Sequence, residues 1–199
     1  MGRRSDHSRE EISRMALDAA RRLVAEEGLK GLTARRVATE IGYAPGTLYV
    51  VFRNLDDLIL HLNAETLDQL HATLDEVVRH CRKPQRCILK LAMAYVEFAF
   101  DNPSLWGAIY EHRQAEGEPA PGWFQEKIEA LFSLVETPLR QLDAGRGDRE
   151  VRLAANALWS GIHGVCILGL SGSLEKANAG STAAIAESLV SNYLAGYMQ

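Results

Sequence analysis

The chain has 199 residues, 47 % of them hydrophobic and 24 % charged, and a net charge of −4. That length admits one domain or two small ones, and the composition is that of an ordinary globular chain. The negative balance excludes a surface that is basic throughout, and no stretch approaches the ~18 uninterrupted apolar residues of a membrane-crossing helix, so no membrane partner is expected.

The opening MGRRSDHSREE has no apolar centre, so it is not read as a secretory leader, and a cytoplasmic location is expected. The first helix is predicted over Ser8 to Glu27, where Ile12, Ala16, Ala19, Ala20 and Leu23 fall on one stripe, and Gly28 stops it. Thr33 caps a short second helix through Glu40, with Val37, Ala38 and Ile41 inward and Gly42 at its end. A third short helix runs from Ala44 to Val51, with Pro45 in its first turn, where a missing N–H costs little. Asn54 caps a long fourth helix, whose apolar period from Leu55 to Val78 continues to about Cys81. Beyond Pro84, helices are predicted over Ile88–Phe100, Pro103–His112, Trp123–Leu142 with a bend at Pro138, Arg149–Leu170 and Ser181–Tyr197. The expected fold class is therefore all-α, with about nine helices. Three cysteines, Cys81, Cys87 and Cys166, form an odd count without CxxC spacing, which fits reduced thiols and not a disulfide framework.

The second and third helices meet at a glycine corner, IGYAPGTLYVVF, which describes a helix-turn-helix. Ala38 allows close approach, Gly42 supplies the turn and Leu48 anchors the third helix; a plain helical hairpin has the same spacing. The third helix would expose Ala44, Pro45, Gly46, Thr47 and Val50, all short, which suits entry into a major groove ~12 Å wide. Thr47 could reach a phosphate or a thymine methyl, and Tyr43 and Tyr49 could reach the DNA backbone. Tyr49 could equally pack in the core with its hydroxyl in solvent. Thr33, Arg35 and Arg36 sit at the start of the second helix, near phosphates, and Arg3 and Arg4 could enter the adjacent minor groove. Each arginine also reads as a solvated surface charge. Residues 1–60 hold ten basic and nine acidic side chains against twelve and seventeen in 61–199, so a DNA-facing surface belongs to the first sixty residues.

The run from Gly31 to Leu58, with Thr33, Val37, Ala38, Ile41, Gly42, Gly46, Thr47, Leu48, Tyr49, Phe52, Asp57 and Leu58, closely resembles the DNA-binding domain of TetR/AcrR-family transcriptional regulators. In motif the resemblance covers about residues 8–60; in length and helix count it covers the chain. It departs at Val51, where the family often has His, and at Leu55, where it commonly has a phosphate-touching Lys. Each lost contact should flatten the salt dependence of binding by about one unit of slope.

Trp159-Ser-Gly-Ile-His-Gly164 places Trp159 and His163 on one helix face and resembles a TetR subgroup with a Trp, then His-Gly, in its eighth helix. Core packing of Trp159, with His163 on a backbone carbonyl, is the other reading. Met93, Tyr95, Phe98, Trp106 and Tyr110, with Trp159 and His163, suit a mainly apolar effector cavity with a few polar handles, or else a core. No GxSxG, phosphate loop or HExxH is present, and His61, His71 and His80 do not stack on one face, so no catalytic site, metal or cofactor is expected.

The expected layout is a helix-turn-helix domain at 1–53, a linking helix at 54–81, and an effector-binding and dimerisation domain at 82–199. The resemblance implies a ligand-responsive regulator, a repressor released from a near-palindromic double-stranded operator by a small effector, and a homodimer through the last two helices. The alternative is a helical small-molecule-binding protein or enzyme without sequence-specific DNA binding.

Overall fold

The computed structural model describes residues 7–112 and 119–199. They form ten α-helices and one 3-10 turn, with no strand among the described residues. The helices are α1 (Arg9–Glu27), α2 (Ala34–Glu40), α3 (Pro45–Val51), α4 (Leu55–Arg79), α5 (Pro84–Asp101), α6 (Pro103–Glu111), α7 (Gly122–Leu142), α8 (Asp148–Leu170), α9 (Ser173–Lys176) and α10 (Thr182–Tyr197). The expected all-α class therefore holds. Two elements differ. α5 starts at Pro84, four residues before the predicted Ile88, because proline at the first helical position loses no bond and the Cys87 N–H already reaches the Lys83 carbonyl. α9 is a single turn inside the expected Gly/Ser/Asn-rich loop.

The helix starts are set by local chemistry. Ser8 and Glu11 form a reciprocal capping box on α1, and that hydrogen bonding holds the Glu11 carboxyl below its usual range. The Thr33 side chain accepts from the Arg36 N–H, and the Asn54 side chain accepts from the Asp57 N–H at 2.8 Å.

The chain divides into two compact units. The first takes the described residues up to Thr66, together with those from Asn102 to Phe124. Its core joins Ala16, Ala20 and Leu23 of α1, Val37 and Ala38 of α2, Leu48 of α3, Leu58 and Leu62 of α4, and Leu105 and Ala108 of α6. Thus α6 packs on α1, and the units do not follow the sequence boundaries at 53 and 82. Asn63, buried on α4, donates to the Ala108 carbonyl of α6 at 3.2 Å. That bond and the apolar seam tie α6 here, although in sequence it lies far from α1. Val51 and Leu55, the two departures from the family pattern, are half-buried against the same core. They contribute packing where the family would place polar groups.

The second unit holds residues 67–101 and 125–199. In it α5 packs on α8 and α10, and α8 packs on α10. α10 turns Ala186, Val190, Leu194 and Tyr197 into the interior at helical spacing. Gly161 of α8 sits under Leu189 of α10, so near that a Cβ would lie 3.0 Å from the leucine methyl. This is the close helix approach for which a helical glycine is retained.

The thiols correct the sequence expectation. Cys81 and Cys87 are joined in a disulfide, with Cα atoms 5.5 Å apart across the α4–α5 corner. The pair lies six residues apart on either side of a helix corner, and the fold brings it within bridging range. Cys166 is free and buried, and burial pushes its thiol up to about 12.

Candidate functional site

The α2–α3 corner is built on Gly42, whose φ of +76° is a left-handed conformation that side chains rarely adopt. The Tyr43 N–H closes the turn on the Ala38 carbonyl at 2.9 Å. Pro45 opens α3, Leu48 is only 2 % exposed and fixes the helix to the core, and the opposite face carries Tyr49 and Val50, 53 % and 52 % exposed. Ala44, Pro45 and Gly46 are exposed and Thr47 is half-buried, so the tip of α3 is short-chained and uncharged. A Cβ added at Gly46 would meet nothing within 4 Å. The far end of α3 is held by Arg9, whose guanidinium donates to the Val50 carbonyl, one of the unpaired carbonyls a helix end leaves.

The other predicted residues of this surface divide. Arg35 and Thr33 are exposed beside the corner. Tyr43 is half-buried on the core, with its hydroxyl 2.7 Å from His7 Nδ1. Arg36 is paired within the unit: its guanidinium donates to the Glu27 carboxylate and to the Gly31 carbonyl at 2.9 Å. That pairing holds the Glu27 carboxyl below its usual range. In the structure this guanidinium braces α1 against α2. Arg3 and Arg4 lie outside the described residues.

The predicted effector residues fall into both units. In the second, Tyr95 of α5 and His163 of α8 approach with hydroxyl to Nδ1 at 3.1 Å. Trp159 stacks on His163 at 5.3 Å between centroids, and Phe132 of α7 meets Trp159 edge-on at 5.8 Å. Tyr95 and Phe98 are buried and Met93 is half-buried. Phe132 was missed from sequence because nothing local distinguishes it from a core aromatic. In the first unit, Trp106 is fully buried and meets half-buried Tyr110 edge-on at 5.2 Å. Asn63, also missed, lies on the helix opposite α6. No group of three or more His, Cys, Asp or Glu side chains suited to a metal occurs among the described residues.

Burial also sets two histidines. It lowers the His163 pKa, and it lowers that of His112, where Asp56 at 3.2 Å pulls the other way. A histidine depressed in the folded state is neutral there, while the unfolded chain takes up a proton near its usual 6.5. Stability from both is complete above 6.5 and falls as the pH drops below it. The denaturation midpoint should fall between pH 7 and pH 5.5, at most about 1.4 kcal/mol per pH unit for each proton. His112→Gln and His163→Gln should together flatten that slope.

An all-α chain whose first unit carries a helix-turn-helix with a blunt, exposed second helix belongs to the class of helix-turn-helix proteins. Residues 16–62 match the model of bacterial regulatory proteins of the tetR family, and residues 88–193, more than half of the chain, match the tetracyclin repressor-like C-terminal domain. The chain belongs to the TetR family. It is 30 % identical over 95 residues to an uncharacterized HTH-type transcriptional regulator, YobS of Bacillus subtilis, covering 48 % of this chain and 49 % of that one. The chain thus spans about half the length of the curated relatives it matches. Among solved structures, a protein of unknown function from Rhodococcus sp. RHA1 superposes with a TM-score of 0.80 at 23 % identity, over 100 % of both chains. The transcriptional regulator FadR from Bacillus subtilis, in complex with stearoyl-CoA, superposes with a TM-score of 0.68 at 17 % identity, over 92 % of this chain and 98 % of that one. Both structural likenesses concern the fold.

Proposed function

We propose that the chain is a dimeric, ligand-responsive transcriptional regulator that binds a near-palindromic operator in the cytoplasm and represses until a small, mainly apolar effector releases it. The observation that carries the reading is the α3 tip: Gly46 faces open space, and Ala44, Pro45 and Thr47 offer nothing long enough to keep a groove wall away. Thr33, Arg35, Tyr43, Thr47 and Tyr49 are the proposed DNA contacts beside it, with Arg3 and Arg4 as a minor-groove arm.

Met93, Tyr95, Phe98, Trp159 and His163, with Phe132, are proposed to line the effector site of the second unit. The cluster is apolar and aromatic with a neutral histidine, which suits a ligand of low charge. The FadR neighbour is in complex with stearoyl-CoA, whose acyl chain, though not its anionic coenzyme A part, matches such an apolar lining. Release is a population shift: the effector must bind the non-operator conformation more tightly, or it moves nothing. α4 runs without a break from the helix-turn-helix unit into the second unit and is the element proposed to carry the change.

The dimer face is proposed on α8 and α10. Leu153, Ala157, Ser160, Gly164 and Ile167 follow one helical stripe of α8, with Leu153 70 % and Ile167 46 % exposed. Beside it, Ile185, Ser188, Leu189, Asn192 and Tyr193 of α10 line an open groove of about 640 Å³.

In vitro selection from random duplex DNA tests the reading, and enrichment of a two-fold symmetric sequence is the expected result. No enrichment over a protein-free control would remove the DNA-binding claim. Trp159→Ala should keep operator affinity within about threefold, since Trp159 belongs to the second unit and makes none of the proposed DNA contacts. Effector-driven release should fall by ten-fold or more, since a large aromatic contact is worth upward of about 1.4 kcal/mol.

A further inference from the structure

The disulfide at the α4–α5 corner has no part in the function proposed above. In a reducing compartment such bonds are usually transient and redox-sensing, and this inference rests on the cytoplasmic reading to that extent. Four observations make the bond an exchange site. Cys81 is half-exposed and lies just past the last turn of α4, whereas Cys87 is buried in the first turns of α5, so an incoming thiolate meets the Cys81 sulfur. Arg82, Lys83 and Arg86 surround the pair in sequence and are all exposed, which draws in an anionic thiolate. The leaving sulfur, on Cys87, emerges near the positive end of α5, where negative charge is favoured. The corner also has mechanical reach: Gln85 Nε2 donates to Met198 Sδ at 2.8 Å, and α5 packs on α10.

We propose that Cys81–Cys87 is a reversible thiol–disulfide site for small dithiols, and that its state sets the order of the α4–α5 corner. A dithiol thiolate attacks Cys81 Sγ; the S–S bond breaks and its electron pair leaves on Cys87 Sγ, which is then protonated. The reagent's second thiolate attacks its own sulfur in the mixed disulfide, releasing Cys81 as a thiol and the reagent as a cyclic disulfide. Two electrons and two protons pass from the dithiol to the protein. With the bond closed, the seven-residue loop Cys81–Cys87 is pinned. With it open, the last turn of α4 is left to its helical bonds, such as that from the Cys81 N–H to the Val78 carbonyl, and to the exposed pairs Arg79–Asp75 and His80–Glu76.

The test uses the full chain and no DNA, so its outcome and that of the operator selection are independent. The protein is equilibrated with reduced or oxidised dithiothreitol, alkylated under native conditions with N-ethylmaleimide and weighed. Cys166 is fully buried and stays unmodified, so adducts report the pair alone. The oxidised sample should carry none and the reduced sample one, on the half-exposed Cys81, with Cys87 shielded by its burial. Amide exchange over residues 77–83 should quicken about ten-fold on reduction, as local opening does, and Cys81→Ser should reproduce it without reductant. Oxidised glutathione should restore both readings in the wild-type chain. The proposal is overturned by a bond that survives an excess of reduced dithiothreitol, by thiols that never oxidise, or by exchange that reduction leaves unchanged. Misfolding of Cys81→Ser would leave the wild-type arms to decide.

Discussion

Gly46→Ala should fold at least as well as the parent chain and bind its operator about ten- to a hundredfold more weakly, the equivalent of ~1–3 kcal/mol. The two halves of this result come from different environments. In the free protein the new methyl meets nothing within 4 Å, and glycine in a helix is less favourable than alanine by up to about 1 kcal/mol, so stability should hold or rise slightly. On DNA the same methyl stands at the leading tip of α3, where backbone and groove wall would come into contact. Gly42 is the internal comparison. A Cβ there is equally free of neighbours, yet its φ of +76° is strained for any side chain, so Gly42→Ala should lose about 1 kcal/mol or more of stability. Thermal melting and fluorescence anisotropy on the selected operator read both quantities. Unchanged affinity in Gly46→Ala would mean that α3 does not enter a groove.

What the sequence made legible is what local chemistry decides. Thr33 and Asn54 announced their helices, and the stripe Ile12–Ala16–Ala19–Ala20–Leu23 is buried as its period required. The Gly42 corner and the outward α3 tip were readable because a tight turn and a short-chained surface each leave a local signature. The rest depends on pairs distant in the chain. Arg36 looks like a free cation until Glu27, nine residues away, is seen beside it. α6 reads as one more helix of the second domain, yet its apolar face and the Asn63 bond place it on the first core. The predicted effector aromatics were grouped by type, and packing divides them, with Trp106 in one unit and Trp159 in the other. The disulfide escaped for the same reason: its spacing carries no motif, and only the helix corner brings the two sulfurs together.

Leu153→Glu with Leu168→Glu should yield a folded monomer whose operator affinity falls by more than about a hundredfold. α8 is long and apolar enough to cross a membrane by length and composition, yet only 33 % of its apolar window is buried inside the structure. In water an apolar helix face so exposed needs a cover. The charged first turn, with Asp148, Arg149 and Glu150, and the packing of the buried face on α5 and α10 favour a neighbouring protein surface as that cover. The small residues Ala157, Ser160 and Gly164 at mid-stripe let a second α8 come close, while Leu153 and Leu168, 70 % and 47 % exposed, supply contact toward its ends. Because both leucines are so exposed, their replacement should alter monomer stability by no more than about 0.5 kcal/mol each. Leu189 would be a poorer choice, since it already covers Gly161 within one chain. The loss of affinity follows from linkage: two helix-turn-helix units joined by an interface bind a symmetric site with the second contact made intramolecular, and separate units forfeit that advantage. Sedimentation velocity and operator titration on one preparation decide the matter. A double variant that still sediments as a dimer would move the interface off this face of α8, and a monomer with undiminished affinity would separate dimerisation from operator recognition altogether.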